Sequence, residues 1–127
     1  MVSALATVAG MAALDDYEHI TRTVRATALE KRWLCAEFRR CGITYWPSDA
    51  NFILIRPPVN SLRFSQHLLQ NGIMVRSTEP LGAPGLVRIT IGNREMNEAL
   101  IRNVYDLQRR PLSRGRLSFG FSFNGSR

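Results

Sequence analysis

Lysine is nearly missing from this chain. Lys31 is the only one, so all but one of its 17 basic side chains are arginines. It stands in Glu30-Lys31-Arg32, inside a helical stretch, and reads as an exposed solubilising residue. Cysteine is scarce too. Cys35 and Cys41 cannot build a disulfide framework, and with His19 and His67 they give no zinc-like spacing. Two reduced thiols in a cytosolic protein are the expectation. The apolar stretch from Met1 to Leu14 lacks the positive start expected of a signal peptide, and is too short to span a bilayer. A helix packed on a partner surface fits it better. Acidic residues are few, 10 against 17 basic, and after Leu100 only Asp106 faces Arg102, Arg109, Arg110, Arg114, Arg116 and Arg127. Such a surface attracts anions, nucleic acid or metabolite alike, but no nucleic-acid-binding motif accompanies it. No internal repeat is visible.

What is present fits one domain with one core: 127 residues, 45% of them hydrophobic. Val2 to about Leu14 reads as an alanine-rich helix, apolar nearly all round and hence of a kind normally buried. Asp15-Asp16 marks a break or a new start. Tyr17 to about Arg40 reads as a second helix, with Ile20, Val24, Ala28, Leu34 and Phe38 on one side, ended by Gly42. Strands are predicted at Ile43–Trp46, Asn51–Ile55, Ile73–Arg76 and Leu86–Ile91. A helix capped by Asn60 or Ser61 runs to Gln70 with Leu62, Leu68 and Leu69 inward, and a last helix follows Gly92-Asn93 with Met96, Leu100, Val104 and Leu107 as its stripe. This order predicts an α+β fold, a small sheet covered by helices and preceded by a long helical segment. The segment Pro111–Arg127 is rich in Ser, Gly and Arg and is expected to be disordered, although Leu117, Phe119, Phe121 and Phe123 alternate as a strand would.

One residue stands out chemically. In Gly85-Leu-Val-Arg-Ile-Thr-Ile-Gly92, alternation puts Leu86, Arg88 and Thr90 on one face and Val87, Ile89 and Ile91 on the other. A guanidinium on a strand is held rigidly, its donors forked to match a carboxylate or phosphate. Taken alone, the pattern fits an arginine on the solvent side of a half-buried strand better. The surrounding sequence reverses that preference.

Three segments occur in order: Pro47-Ser-Asp-Ala-Asn-Phe-Ile-Leu-Ile-Arg56, Asn71-Gly-Ile-Met-Val-Arg-Ser77 and Gly85-Leu-Val-Arg-Ile-Thr-Ile-Gly-Asn-Arg-Glu-Met-Asn-Glu98. Together they resemble the C-terminal small domain of the class I/II pyridoxal-phosphate aminotransferases, and within that group they are most similar to the histidinol-phosphate aminotransferases. The opening Val2-Ser-Ala-Leu-Ala6, running into Ala12–Asp16, is similar to the family's segment just after the cofactor lysine region. The resemblance covers about residues 2 to 109. It implies that Arg88 binds the acidic end of the substrate, and that Arg76 joins it on a substrate phosphate. Asn51 matches the family's "ANF" asparagine, where a structural role is favoured over substrate contact. The resemblance also implies pyridoxal 5'-phosphate as cofactor, an anionic small-molecule substrate and a cytoplasmic homo-oligomer; no membrane partner is expected, and a nucleic-acid partner is disfavoured.

The resemblance implies a division too: residues 1–40 as a helical segment packing between domains or subunits, 41–110 as the small domain, and 111–127 as a tail. The family's Ser-x-x-Lys motif is not in this sequence, and Lys31 does not match the catalytic position. The chain is therefore expected to correspond to the last third of an enzyme, as a truncated gene product or gene fragment would, and to be inactive alone. Three other readings stay open. One is a non-catalytic module binding an anion or a protein partner. Another is a fragment similar to phosphothreonine decarboxylases. The third, resting only on the late arginines, is nucleic-acid binding.

Overall fold

A computed structural model describes residues 3–109. The elements run α1 (Ala4–Asp15), α2 (Tyr17–Arg40), β1 (Tyr45–Trp46), β2 (Phe52–Ile55), α3 (Ser61–Gln70), β3 (Arg76–Ser77), a 3-10 turn (Glu79–Leu81), β4 (Val87–Thr90) and α4 (Arg94–Arg109). The strands form one antiparallel sheet in the order β1-β2-β4-β3. This is the α+β architecture expected. The proposed strand within 117–123 lies outside the described residues.

The core lies on one face of the sheet. Ile53 and Ile55 of β2 and Val87 and Ile89 of β4 meet Leu34 and Phe38 of α2, Phe64 and Leu68 of α3, and Leu100, Ile101, Val104 and Leu107 of α4. β2 and β4 pair along their whole lengths, with Ile53 opposite Ile89 and Leu54 opposite Arg88. Because side chains alternate along a strand, burying Val87 and Ile89 turns Arg88 to the other face.

Local chemistry sets the boundaries. Asp16 caps α2 by accepting from the His19 N–H at 2.9 Å. Asn60 caps α3, accepting from the N–H groups of Leu62 and Arg63. Asn93 caps α4, accepting from the Met96 N–H at 2.9 Å. Gly42, at φ 66°, lets the Ile43 N–H reach back to the Phe38 carbonyl and end α2.

Several sequence expectations shift. α1 is exposed along its whole length, because no other described element packs on it. Ile20 and Val24 are exposed, since the first half of α2 runs beyond the sheet, and only its second half reaches the core. Leu62 and Leu69 are exposed as well. α3 instead turns Ser61, Phe64 and Leu68 inward, spaced by three and four residues. Met96 is 63% exposed and Asn97 takes the inward place at 1%. The third strand is shorter than predicted, Arg76–Ser77 only, because the Ile73 N–H is used to close α3 on the Leu68 carbonyl. Lys31 is half-buried rather than freely solvated, and its Nζ donates to the Ser48 carbonyl at 2.7 Å. The aliphatic stem reaches across from α2 to the β1–β2 connection, which the charge alone does not foretell.

Phe64→Ala should destabilise the chain by about 3–5 kcal/mol, while Leu62→Ala should change stability by less than about 0.5 kcal/mol. Urea unfolding midpoints of the two variants check this, and a larger loss at position 62 would contradict the observed face of α3.

Candidate functional site

The face of the sheet opposite the core carries a row of four side chains. Trp46 is opposite Leu54, Leu54 opposite Arg88, and Arg88 opposite Arg76. Opposed residues in an antiparallel ladder project from the same face, with Cβ atoms about 4.5–5.5 Å apart. The row therefore runs from an apolar end on β1 to two adjacent cations on β4 and β3. Two like charges in cross-strand register destabilise a sheet unless something offsets them. Among the described residues, neither arginine forms an ion pair with a carboxylate.

Arg88 is half-buried and Arg76 exposed. The Arg88 guanidinium carbon lies 5.1 Å from the centre of the Phe52 ring. That cation–π contact contributes roughly 0.5–2 kcal/mol and ties the head group to the Phe52 ring. Arg88 Nε is buried and has no hydrogen-bond partner among the described residues. Leaving such a donor unpaired costs about 1–3 kcal/mol, more for a charged group. Ser65 Oγ and His67 Nε2 share that unpaired state, but both belong to α3.

Asn51 precedes β2 and is exposed. Its carbonyl accepts from the Ile91 N–H at 2.9 Å, extending the β2–β4 ladder by one rung. Thus the three residues singled out in the sequence gather around β4: Arg76 on the edge strand beside Arg88, and Asn51 at the end of the β2–β4 pairing. Sequence reasoning missed Phe52 and Trp46, because assigning them to this face requires the strand register. Period-two alternation from Phe52 through Leu54 was the available signal.

Behind β4 lies a polar lock. Glu30 of α2 accepts from Arg94 Nε at 3.1 Å and Nη2 at 3.0 Å through one oxygen, and from Asn97 Nδ2 at 2.9 Å through the other. Asn97 also grips the backbone of Gly92 twice, accepting from its N–H and donating to its carbonyl, each at 3.0 Å. The Arg94 head group stacks 4.3 Å from the Trp33 ring centre. A Cβ at position 92 would sit 2.9 Å from Met96 Cβ, so glycine is required for this close turn from β4 into α4. Partial burial raises the Glu30 pKa, but the hydrogen bonds from Asn97 and Arg94 and the Arg94 charge outweigh it. The carboxyl is held below its usual range. Burial is the leading influence on Cys35 and Cys41 and raises both thiols, which are free.

With this geometry in place, similarity to known proteins gives the family. The family profile "Aminotransferase class I and II" matches residues 1–104, and the chain belongs to that family. Among named relatives, the histidinol-phosphate aminotransferase of Symbiobacterium thermophilum is 40% identical over 100 residues, 79% of this chain and 28% of that protein. The enzyme of the same name from Geobacillus sp. is 43% identical over 102 residues, 78% of this chain and 27% of that protein. The chain thus spans under a third of the length of the relatives it matches. In solved structures, the fold matches the histidinol-phosphate aminotransferase from Clostridium acetobutylicum at a TM-score of 0.75 and 22% identity, over 82% of this chain and 33% of that one. It also matches the aspartate aminotransferase from Thermotoga maritima at a TM-score of 0.73 and 14% identity, over 86% of this chain and 29% of that one. Among the described residues, no helix is long and apolar enough to cross a membrane.

Because the folded pKa of Glu30 lies below its unfolded value, its contribution is complete above the unfolded value and is lost as pH falls through the folded one. Glu30→Gln should therefore lower the thermal midpoint at pH 7. The gap from the parent should shrink between about pH 5 and about pH 3. Melting curves across that range check it, and a gap independent of pH would show that the carboxylate charge contributes nothing.

Proposed function

We propose that this chain is the part of a class I/II aminotransferase that receives the anionic end of the substrate, with histidinol phosphate the best-matched substrate. The observation that carries this reading is the cross-strand pair Arg76 and Arg88, with the Arg88 Nε buried and unpaired. Two adjacent forks on one rigid sheet can share a dianionic phosphate, which Arg88 grips from its seat on Phe52 and Arg76 closes over from the edge strand. Such a clamp fixes the far end of the substrate and so orients its amine. The substrate name comes from the relatives at 40% and 43% identity.

Pyridoxal phosphate supplies the electron sink for amino-group transfer when bound in such enzymes. Residues 3–109 do not fit it. The sole lysine, Lys31, is tied to the Ser48 carbonyl, and it lies on α2 rather than on the arginine-bearing face. In this reading the cofactor belongs to a large domain, and the chain alone binds an anion without catalysing transfer. Residues 41–109 with the second half of α2 form the small domain. Leu5, Val8, Met11 and Leu14 of α1 and Tyr17 of α2, all exposed, are surface for the large domain or a second subunit of a cytoplasmic homo-oligomer.

Titrating the 127-residue chain with inorganic phosphate, while following the arginine Nε–H signals by NMR, tests the clamp. Saturable shifts at Arg88 and Arg76 are expected, with affinity reduced about tenfold in Arg76→Ala and at least that much in Arg88→Ala. Signals unmoved by phosphate would overturn the reading. Borohydride treatment with pyridoxal phosphate should trap no stoichiometric adduct at Lys31, and such an adduct would overturn the division of labour.

A further inference from the structure

β3 is two residues long, and one of its two ladder positions sets Arg76 against Arg88. So short a strand facing a like charge needs support from elsewhere. The next residue in the chain, Thr78, is 3% exposed. Its N–H donates to the Leu86 carbonyl at 3.3 Å, continuing the β3–β4 register by one rung. Its hydroxyl lies 3.0 Å from the same carbonyl and 2.6 Å from the Ala83 carbonyl. Its own carbonyl accepts from Leu81 at 2.9 Å and from Ala83 at 3.3 Å. One residue, through its hydroxyl and its backbone, thus ties the loop between the two arginine strands into a closed unit. It is anchored two residues after Arg76 and two residues before Arg88.

The geometry points to Thr78 as the positioning residue of the arginine pair: its buried hydroxyl holds β3 in register, so that Arg76 stands beside Arg88 and both meet one phosphate. This rests on the anion-clamp reading above. Thr78 touches no ligand in this role and acts through Arg76. Arg88 depends on it less, since β4 is also paired along its length to β2 and gripped at Gly92 by Asn97.

The test is a double-mutant cycle on the whole chain, read by NMR titration with inorganic phosphate. Thr78→Val keeps the shape and removes the hydroxyl. It should weaken phosphate binding about as much as Arg76→Ala, roughly tenfold, and the double variant should be no weaker than either single one. Thr78→Ser keeps the hydroxyl and should bind within about twofold of the parent. If the parent binds phosphate and Thr78→Val binds equally well, or the two losses add, the inference about Thr78 fails and the clamp stands. If the parent shows no phosphate binding, the clamp itself fails. Should Thr78→Val not fold, Thr78→Ala decides in its place: an affinity as weak as that of Arg76→Ala supports the role of the hydroxyl, and parent-like affinity overturns it.

Discussion

The structure depends on the pairing of β2 with β4. Four successive residue pairs, Phe52–Thr90 through Ile55–Val87, place Ile53, Ile55, Val87 and Ile89 on one face. Three helices can cover that face only because its side chains are all apolar. Slipping β4 by one residue would drive Arg88 into the core and turn Val87 and Ile89 to the opposite face. The hydrophobic effect acting on one side of the sheet therefore sets where the guanidinium on the other side must point.

Polar contacts refine what burial establishes. The junction of β4 with α4 is gripped by Asn97, whose amide satisfies both backbone groups of Gly92 while Glu30 draws the assembly against α2. The other end of β4 meets Thr78 and its loop. Between these anchors lies the two-arginine row, electrostatically unfavourable on its own and stabilised by any anion that settles there. On the proposed clamp reading, the two anchors keep that strand from relaxing away from the anion it would hold.

Residues that report on one strand or one helix cap could be read directly. Arg88 was placed on the correct face because alternation is local, and Asp16, Asn60 and Asn93 announced helix starts because capping is local too. Residues whose role needs a second element could not. Asn97 resembles a solvent-facing polar residue until Gly92 and Glu30 are brought to it, and Met96 beside it then takes the exposed place. Leu62 and Leu69 are as apolar as Leu68, and only the position of the sheet decides which side of α3 is covered. Lys31 looked free because its acceptor, Ser48, is 17 residues away and supplies a backbone carbonyl that carries no sequence signal.

By itself the sequence determined the order and kind of the elements, the apolar face of β4 and its resemblance to a family, all through patterns spanning a few neighbouring residues. Only the tertiary structure decided that Arg76 and Arg88 are cross-strand partners, that Phe52 underlies one of them, and that Thr78 and Asn97 hold the two ends of the strand between. These are properties of register and of contacts between distant segments. The energy that selects them comes from burying a shared core, which no single segment possesses on its own.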